Sequence, residues 1–248
     1  MSQTRSVFQS TNLPLRPSRL DLKAAPSRWR HIPEVPQLFA DIPPHQLAEI
    51  QAAGRTTNFS RRQTIFFAGE TVRRVMLLIE GSVKITQIDE YGSTVILQLV
   101  RPGEVFGALG GAKLGTHLSA AEARASCKAL VWDTPAFEAL SERFPALQRN
   151  TMRILAKCLH ELETRFCEIS TKKVAQRLAR LLPHVGRKVG DVVEVNLSRE
   201  ELAQMTATTL FTVSRQLSIW EQQGIVSLRR LGVVVRDPLS LITISELK

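Results

Sequence analysis

The residues best suited to chemistry with a polyanion lie in "LSREELAQMTATTLFTVSRQLSIWEQQGIV", residues 197–226. Arg215 can fork two N–H donors onto guanine O6 and N7 or clamp a phosphate. Thr209, Thr212, Ser214 and Ser218 add hydroxyls that suit phosphate oxygens or base edges. Val213, Leu217 and Trp220 recur at spacings of four and three, which anchors one face of this helix and leaves the polar set outward. Two bulky apolar residues, Leu210 and Phe211, stand at its front, where a helix usually meets a polar surface.

The elements around this helix follow from local signals. Ser198 is a natural N-cap for a preceding helix, with Glu201 three residues on to complete a capping box. Leu202 and Met205 give that helix its buried face. "TATT" makes the bend, with Thr208 the expected cap of the second helix and Gly224 its left-handed C-cap. "IVSLRRLGVVVRD" then reads as a hairpin with Arg229 and Arg230 at its tip. A helix–turn–helix followed by a basic hairpin is a winged helix, and a major groove about 12 Å wide admits one such helix. The expected DNA contacts are Ser198, Arg199, Thr208, Thr209, Leu210, Phe211, Thr212, Ser214, Arg215, Ser218, Arg229 and Arg230, with 209–223 as the recognition helix.

Charge agrees with that assignment. Of the net +10, residues 1–36 carry six Lys/Arg against two acids, and residues 171–248 carry twelve against seven. Residues 37–170 are almost neutral, so the ends are what a polyanion would meet. Residues 1–30, rich in Ser, Pro and Arg without apolar periodicity, read as a disordered basic tail. Its Arg-rich, acid-poor composition superficially resembles a transit peptide, but no helical apolar face supports targeting. No apolar run reaches the ~18 residues of a membrane span. Cys127, Cys158 and Cys167 lie far apart with no secretory leader, which points to free thiols in the cytoplasm.

Upstream, "FADIPPHQLAEIQAAG" (39–54) has a Pro-marked start and Leu47, Ile50 and Ala53 at helical spacing. Residues 63–107 then give short aliphatic runs separated by glycines, the pattern of a β-sandwich or jelly roll, with "DEYGS" (89–93) as a hairpin turn. "KALVW" supplies a closing strand before a short helix near Pro135. Met152, Leu155, Leu159, Leu162, Phe166 and Ile169 follow spacings of 3, 4, 3, 4, 3, a narrow heptad seam on a long helix. No partner of similar length exists in the chain, so the economical partner is the same helix of a second copy; packing onto the roll is the alternative. "TKKVAQRLARLLPHV" is a further amphipathic helix, expected to stop at Pro183, and "VVEVNL" a short strand. The fold class is α+β: a roll at 31–147, a dimerisation helix at 148–170 and a winged helix at 171–248.

Enzyme signatures are missing. No His/Cys cluster has metal-ligand spacing, no nucleophile elbow occurs, and "GALGG" lacks the strand–helix context of a phosphate loop.

In order and spacing, "IFFAGE", "GSVKI", "YGSTVILQLVRPGEVFGALG", "KKVAQRLARLL", "LSREELAQM" and "TVSRQL" resemble the Crp/Fnr family of bacterial transcription regulators across roughly residues 36–240. The resemblance implies a homodimer whose roll derives from a cyclic-nucleotide-binding domain, a double-stranded pseudo-palindromic operator, and RNA polymerase as a partner.

Its departures carry information. In cyclic-AMP receptors the phosphate cassette reads like G-E-L-G…R-S-A, where the Glu holds the ribose and the Arg neutralises the phosphate. Here Gly107, Ala108 and Leu109 precede Leu118 and Ser119, so Ala108 replaces the Glu and Leu118 the Arg. A buried phosphate would lack its cation. Leu162 and Glu163 replace the Thr-Ser pair that reaches the adenine, and Arg124 is expected outside the cassette. No Cys precedes Cys127, which removes the iron–sulfur cluster of the fumarate–nitrate branch from its usual place. Cys158 and Cys167, nine residues apart, fall on opposite sides of a helix. No cofactor is expected; the alternative is haem, through His45 or His117, or another small ligand in the roll. In the family's recognition helix a Glu precedes the Thr-Val-Ser-Arg stretch, and cyclic-AMP receptors add an Arg before it. Leu210 and Phe211 stand at those places, so a changed code with thymine-methyl contacts is expected, unless one of the two packs beneath the helix.

Overall fold

The computed structural model describes residues 35–109 and 115–246; the expected tail at 1–30 lies outside them. A 3-10 turn at Gln37–Phe39 leads to α1 (Pro44–Ala52), which begins at its Pro-marked start, since prolines at 43 and 44 suit the entry to a helix's first turn. Ile50 is buried and Leu47 half-buried, but Ala53 is exposed as the C-cap rather than part of the packed face.

Eight strands follow: β1 (Arg55–Phe59), β2 (Thr64–Phe66), β3 (Arg74–Glu80), β4 (Val83–Ile88), β5 (Thr94–Val100), β6 (Val105–Gly107), β7 (Ala120–Ala123) and β8 (Cys127–Asp133). They form two antiparallel sheets in the orders β1-β8-β3-β6 and β2-β7-β4-β5. β3 is apolar from Val75 to Ile79 because both its faces are covered there. Val75, Leu77 and Ile79 pack towards the helices, while Met76 and Leu78 fill the space between the sheets. Gly92, at φ 83°, closes the β4–β5 hairpin as its sequence predicts.

α2 (Thr134–Arg143) and α3 (Pro145–Thr171) continue the chain. The first turns of α3 lie against the roll: Leu147 and Ile154 are buried, and the Asn150 side-chain amide donates to the carbonyls of Leu38 and Ala40 at 3.1 and 2.7 Å. Beyond that anchor Met152, Leu159, Leu162, Phe166 and Ile169 are exposed, with Leu155 half-buried.

The C-terminal region comprises α4 (Val174–Val185), β9 (Arg187–Val189), β10 (Val192–Val195), α5 (Arg199–Met205), α6 (Leu210–Gln222), β11 (Val226–Arg229), β12 (Gly232–Val235) and α7 (Pro238–Glu246). Its sheet runs β11-β12-β10-β9. Pro183 does not stop α4, contrary to expectation. It sits in the last turn, so the lost N–H and the ring clash disturb only a helix already ending at Val185. β9 and α7 were not foreseen; α7 buries Leu241 in the same core as Leu178, Leu217 and Trp220. Ile96 and Leu99 of β5 also join that core, so the roll and the winged helix share a packed boundary.

Candidate nucleic-acid interface

α5 begins on the predicted capping box. The Glu201 N–H donates to Ser198 Oγ at 3.1 Å, and the Ser198 N–H donates to Glu201 Oε2 at 2.8 Å. Leu202, Ala203 and Met205 are buried beneath it. The bend that follows turns on Ala207, which adopts φ 49°, and the Arg177 guanidinium braces it by donating to Thr206 O at 3.0 Å.

The cap of α6 is Thr209, not Thr208. Thr209 holds extended backbone and its hydroxyl accepts from the Thr212 N–H, whereas Thr208 is one residue too early and donates its own N–H to Ala203 O within the bend. Val213, Leu217 and Trp220 are buried as their spacing predicts. Thr209, Arg215 and Ser218 are exposed on the other side, with Thr212 and Ser214 half-buried. Neither apolar residue at the front packs beneath the helix: Leu210 is 52% and Phe211 76% exposed. Gly224, at φ 75°, forms the expected left-handed end.

On the wing, β11 pairs with β12 from Val226↔Val235 to Arg229↔Gly232, so the tip is Arg230–Leu231. Arg229 is a strand residue rather than a tip residue. Its guanidinium donates to Glu194 on β10 at 2.9 Å, which compensates part of the charge expected to face DNA. Arg199 and Arg230 are exposed, and Ser198 is half-buried in its cap.

Among the described residues Gly107, Ala108, Leu109, Leu118 and Ser119 do not line the cavity beside His117. Gly107, at φ +94°, lies so close to β3 that a Cβ would meet Arg74 O at 2.5 Å, and the Ala108 N–H donates to the same oxygen. The Ala108 side chain is then buried in the helix-side core with Leu109 against it, while Leu118 is 82% exposed and Ser119 half-buried. A cavity of about 470 Å³ opens instead between Ile65, Phe66, Glu70, Arg73, Arg74, Met76 and His117. His117 stacks on Phe66 with centroids 3.8 Å apart, and burial holds its pKa below the usual range against the opposing pull of Glu70. Sequence reading singled out His117 but not its neighbours, because they come from β2, β3 and the loops between, which only the roll brings together. His45 is exposed on α1, in a different layer. Cys127 is buried with its Sγ near Ser82 O and Ala125 O at 3.2 Å, Cys158 is half-buried on the roll, and Cys167 is exposed.

Arg124 lies outside the cassette, as expected, and reaches α5. Its Nε and Nη2 donate to Glu201 Oε1 and Oε2 at 2.6 and 3.1 Å, and Nη2 also donates to Asn196 O at 2.9 Å. Burial raises the Glu201 carboxyl, but the hydrogen bonds from Arg124 and Ser198 outweigh it and hold the pKa below the usual range.

Among the described residues no helix is long and apolar enough to cross a membrane. The family model for the cyclic nucleotide-binding domain matches residues 56–144, and that for the Crp-like helix-turn-helix domain matches residues 176–244. A CRP-like cAMP-activated global transcriptional regulator of Mycobacterium tuberculosis is 25% identical over 206 residues, 81% of this chain and 92% of that one. A global nitrogen regulator of Nostoc is 26% identical over 192 residues, 74% of this chain and 86% of that one. The structure of FixK2 from Bradyrhizobium japonicum superposes with a TM-score of 0.71 at 23% identity, covering 79% and 98% of the two chains. A nucleotide-binding-type roll, a long helix and a Crp-like helix–turn–helix, in that order on one chain, make this protein a member of the Crp/Fnr family of DNA-binding transcription regulators, not an enzyme.

Proposed function

We propose that the protein is a homodimeric regulator that reads a pseudo-palindromic operator through helix 209–223 and acts without cyclic AMP. The carrying observation is the outward face of α6, where Thr209, Arg215 and Ser218 stand exposed beside Leu210 and Phe211. Arg215 reads a guanine or clamps a phosphate, and the two apolar side chains touch thymine methyl groups. Ser198, Arg199, Thr208, Thr212 and Ser214 line the same front, and Arg229 and Arg230 hold the flanking backbone from the wing.

Dimerisation is supported by the unpaired seam of α3: six apolar residues at heptad spacing, five of them exposed, need a like helix. The chain accordingly divides into a basic tail at 1–30, a roll at 31–147, the dimer helix at 148–170 and the DNA-binding unit at 171–248. RNA polymerase is the downstream partner, and the cytoplasm is the compartment. Cyclic AMP is disfavoured because Ala108 offers no acceptor and Leu118 no cation.

A second reading is favoured by the cavity beside Phe66 and His117: a small ligand other than cyclic AMP occupies the roll and gates DNA binding. Haem through His117 is its less economical form, since His45 stands apart on α1. Genome-wide mapping of bound sites, followed by salt-dependent binding to the recovered duplexes, tests the main reading. Loss of affinity along a steep salt slope at one shared motif is expected; no enrichment at any motif would sink it.

A further inference from the structure

Only Lys172 and Lys173 separate the end of α3 from the start of α4. Rotation at so short a covalent joint would swing α6 through a wide arc, so its position depends on non-covalent contacts with the roll. Apolar packing of Ile96 and Leu99 is one of these, and the Arg101 guanidinium adds a bond to His184 O at 2.7 Å. The β5 packing also reaches α5, whose Leu202 and Met205 share that core, while Arg101 touches the end of α4. Arg124 differs because its contact with the helix–turn–helix is a set of directional, charge-assisted hydrogen bonds, which fixes orientation as apolar packing does not.

The Arg124–Glu201 pair is bidentate, and both side chains are about four-fifths withdrawn from solvent at 20% exposure. The third bond, to Asn196 O, catches the loop that leads into α5. The roll end is equally well fixed: the Arg124 N–H donates to Ser82 O at 2.8 Å, just after β7. Glu201 is the reciprocal member of the α5 capping box, so the carboxylate that closes that helix is also the carboxylate the roll holds. Two parallel N–H···O bonds fix orientation as well as distance, as a single lysine contact could not.

We propose that Arg124 is a positioning residue for operator recognition, clamping α5 to the roll so that α6 is presented at a set distance from its copy in the dimer. The inference rests on the dimeric DNA-binding reading above, since half-site spacing is a geometric property of two linked recognition helices. The clamp makes spacing selectivity a property of the roll–α5 contact rather than of the bases that α6 touches.

The test uses the full chain and duplexes carrying the mapped operator at native spacing or with one or two base pairs inserted or removed. Binding is read by anisotropy, and hydrogen exchange over residues 196–205 is read in the free protein. Arg124→Ala should weaken binding to the native spacing about tenfold and flatten the preference among spacings, with faster exchange at α5. Glu201→Gln keeps the capping bond, because Gln serves the same position, yet loses the charge; it should reproduce both effects, and the double variant should be no worse than either alone. A variant that exchanges faster but keeps wild-type affinity and spacing preference overturns the proposal while leaving the DNA-binding reading intact. A wild type that binds no duplex selectively removes that reading, and the proposal with it.

Discussion

The hydroxyls of Thr209 and Thr212 lie 2.9 Å apart across the first turn of α6, and Thr209 Oγ1 also accepts the Thr212 N–H at 3.2 Å. Part of the hydrogen-bonding capacity expected to face DNA therefore closes the helix end first. Thr209→Ala should cost about 1 kcal/mol of stability, while Thr208→Ala should stay within about 0.5 kcal/mol. Urea denaturation of the two variants distinguishes them; equal losses would contradict Thr209 as the cap.

Arg215 is exposed one turn further along α6. Arg215→Ala should lose about 1–3 kcal/mol of specific binding and relax the preference at one base pair in each half-site. A randomised-operator selection with the variant measures this, and an unchanged profile would place Arg215 off the interface.

The seam of α3 should hold two copies together. Leu159→Glu with Leu162→Glu would bring like charges into a buried interface, so the dimer should dissociate and operator affinity collapse. Sedimentation is decisive, because both leucines are exposed in the single chain and their replacement leaves the roll's own core untouched. A double variant that still sediments as a dimer excludes this seam.

The legible parts of this molecule are those whose cause is local. Heptad spacing marked the exposed stripe of α3, Ser198 and Glu201 marked the start of α5, and Val213, Leu217 and Trp220 marked the buried face of α6. Errors arose where a local signal had two neighbouring solutions. Thr208 and Thr209 are equally good caps by type, and only the backbone of the bend selects the second. Pro183 reads as a stop because composition cannot say how close the helix already is to its end. α7 was hidden because its β-branched apolar residues resemble a strand and its place is set by packing on α4. The contacts that matter most for the site were beyond sequence reading altogether. Arg124 and Glu201 are 77 residues apart, and Arg229 meets Glu194 only once β10 and β12 pair.

Acidification should weaken the fold in two steps. Burial holds the His117 pKa below its ordinary value near 6.5, so between the two values the unfolded chain binds more protons. Stability is then lost as pH falls from about 6.5 through the lowered folded value. Glu201 behaves alike in a more acidic window, since its folded pKa lies below the unfolded 4.5. Denaturation midpoints measured against pH should decline in both windows. His117→Gln should flatten the upper one in part, because burial lowers His184 in the same window, and Glu201→Gln the lower; an unaltered upper slope in His117→Gln would show that His184 sets it.

Cyclic AMP should not bind at micromolar concentration, and operator binding should not need it. The nucleotide brings a phosphate and a ribose hydroxyl that a pocket must satisfy. Ala108 is buried in the helix-side core, and Leu118 is largely exposed to solvent. Leu162 and Glu163 are exposed on α3 and carry none of the hydroxyls that would read the base. Arg124, close in sequence after the cassette, is already bound to Glu201 and Asn196, so recruiting it would break the link to α5. An unpaired phosphate in the roll would forfeit a charge-assisted hydrogen bond worth about 1.5–3 kcal/mol. Calorimetric titration of the purified protein, with its absorbance checked for haem, addresses both ligands at once. Micromolar affinity for cyclic AMP, or an operator complex that forms only in its presence, would overturn this account of the pocket.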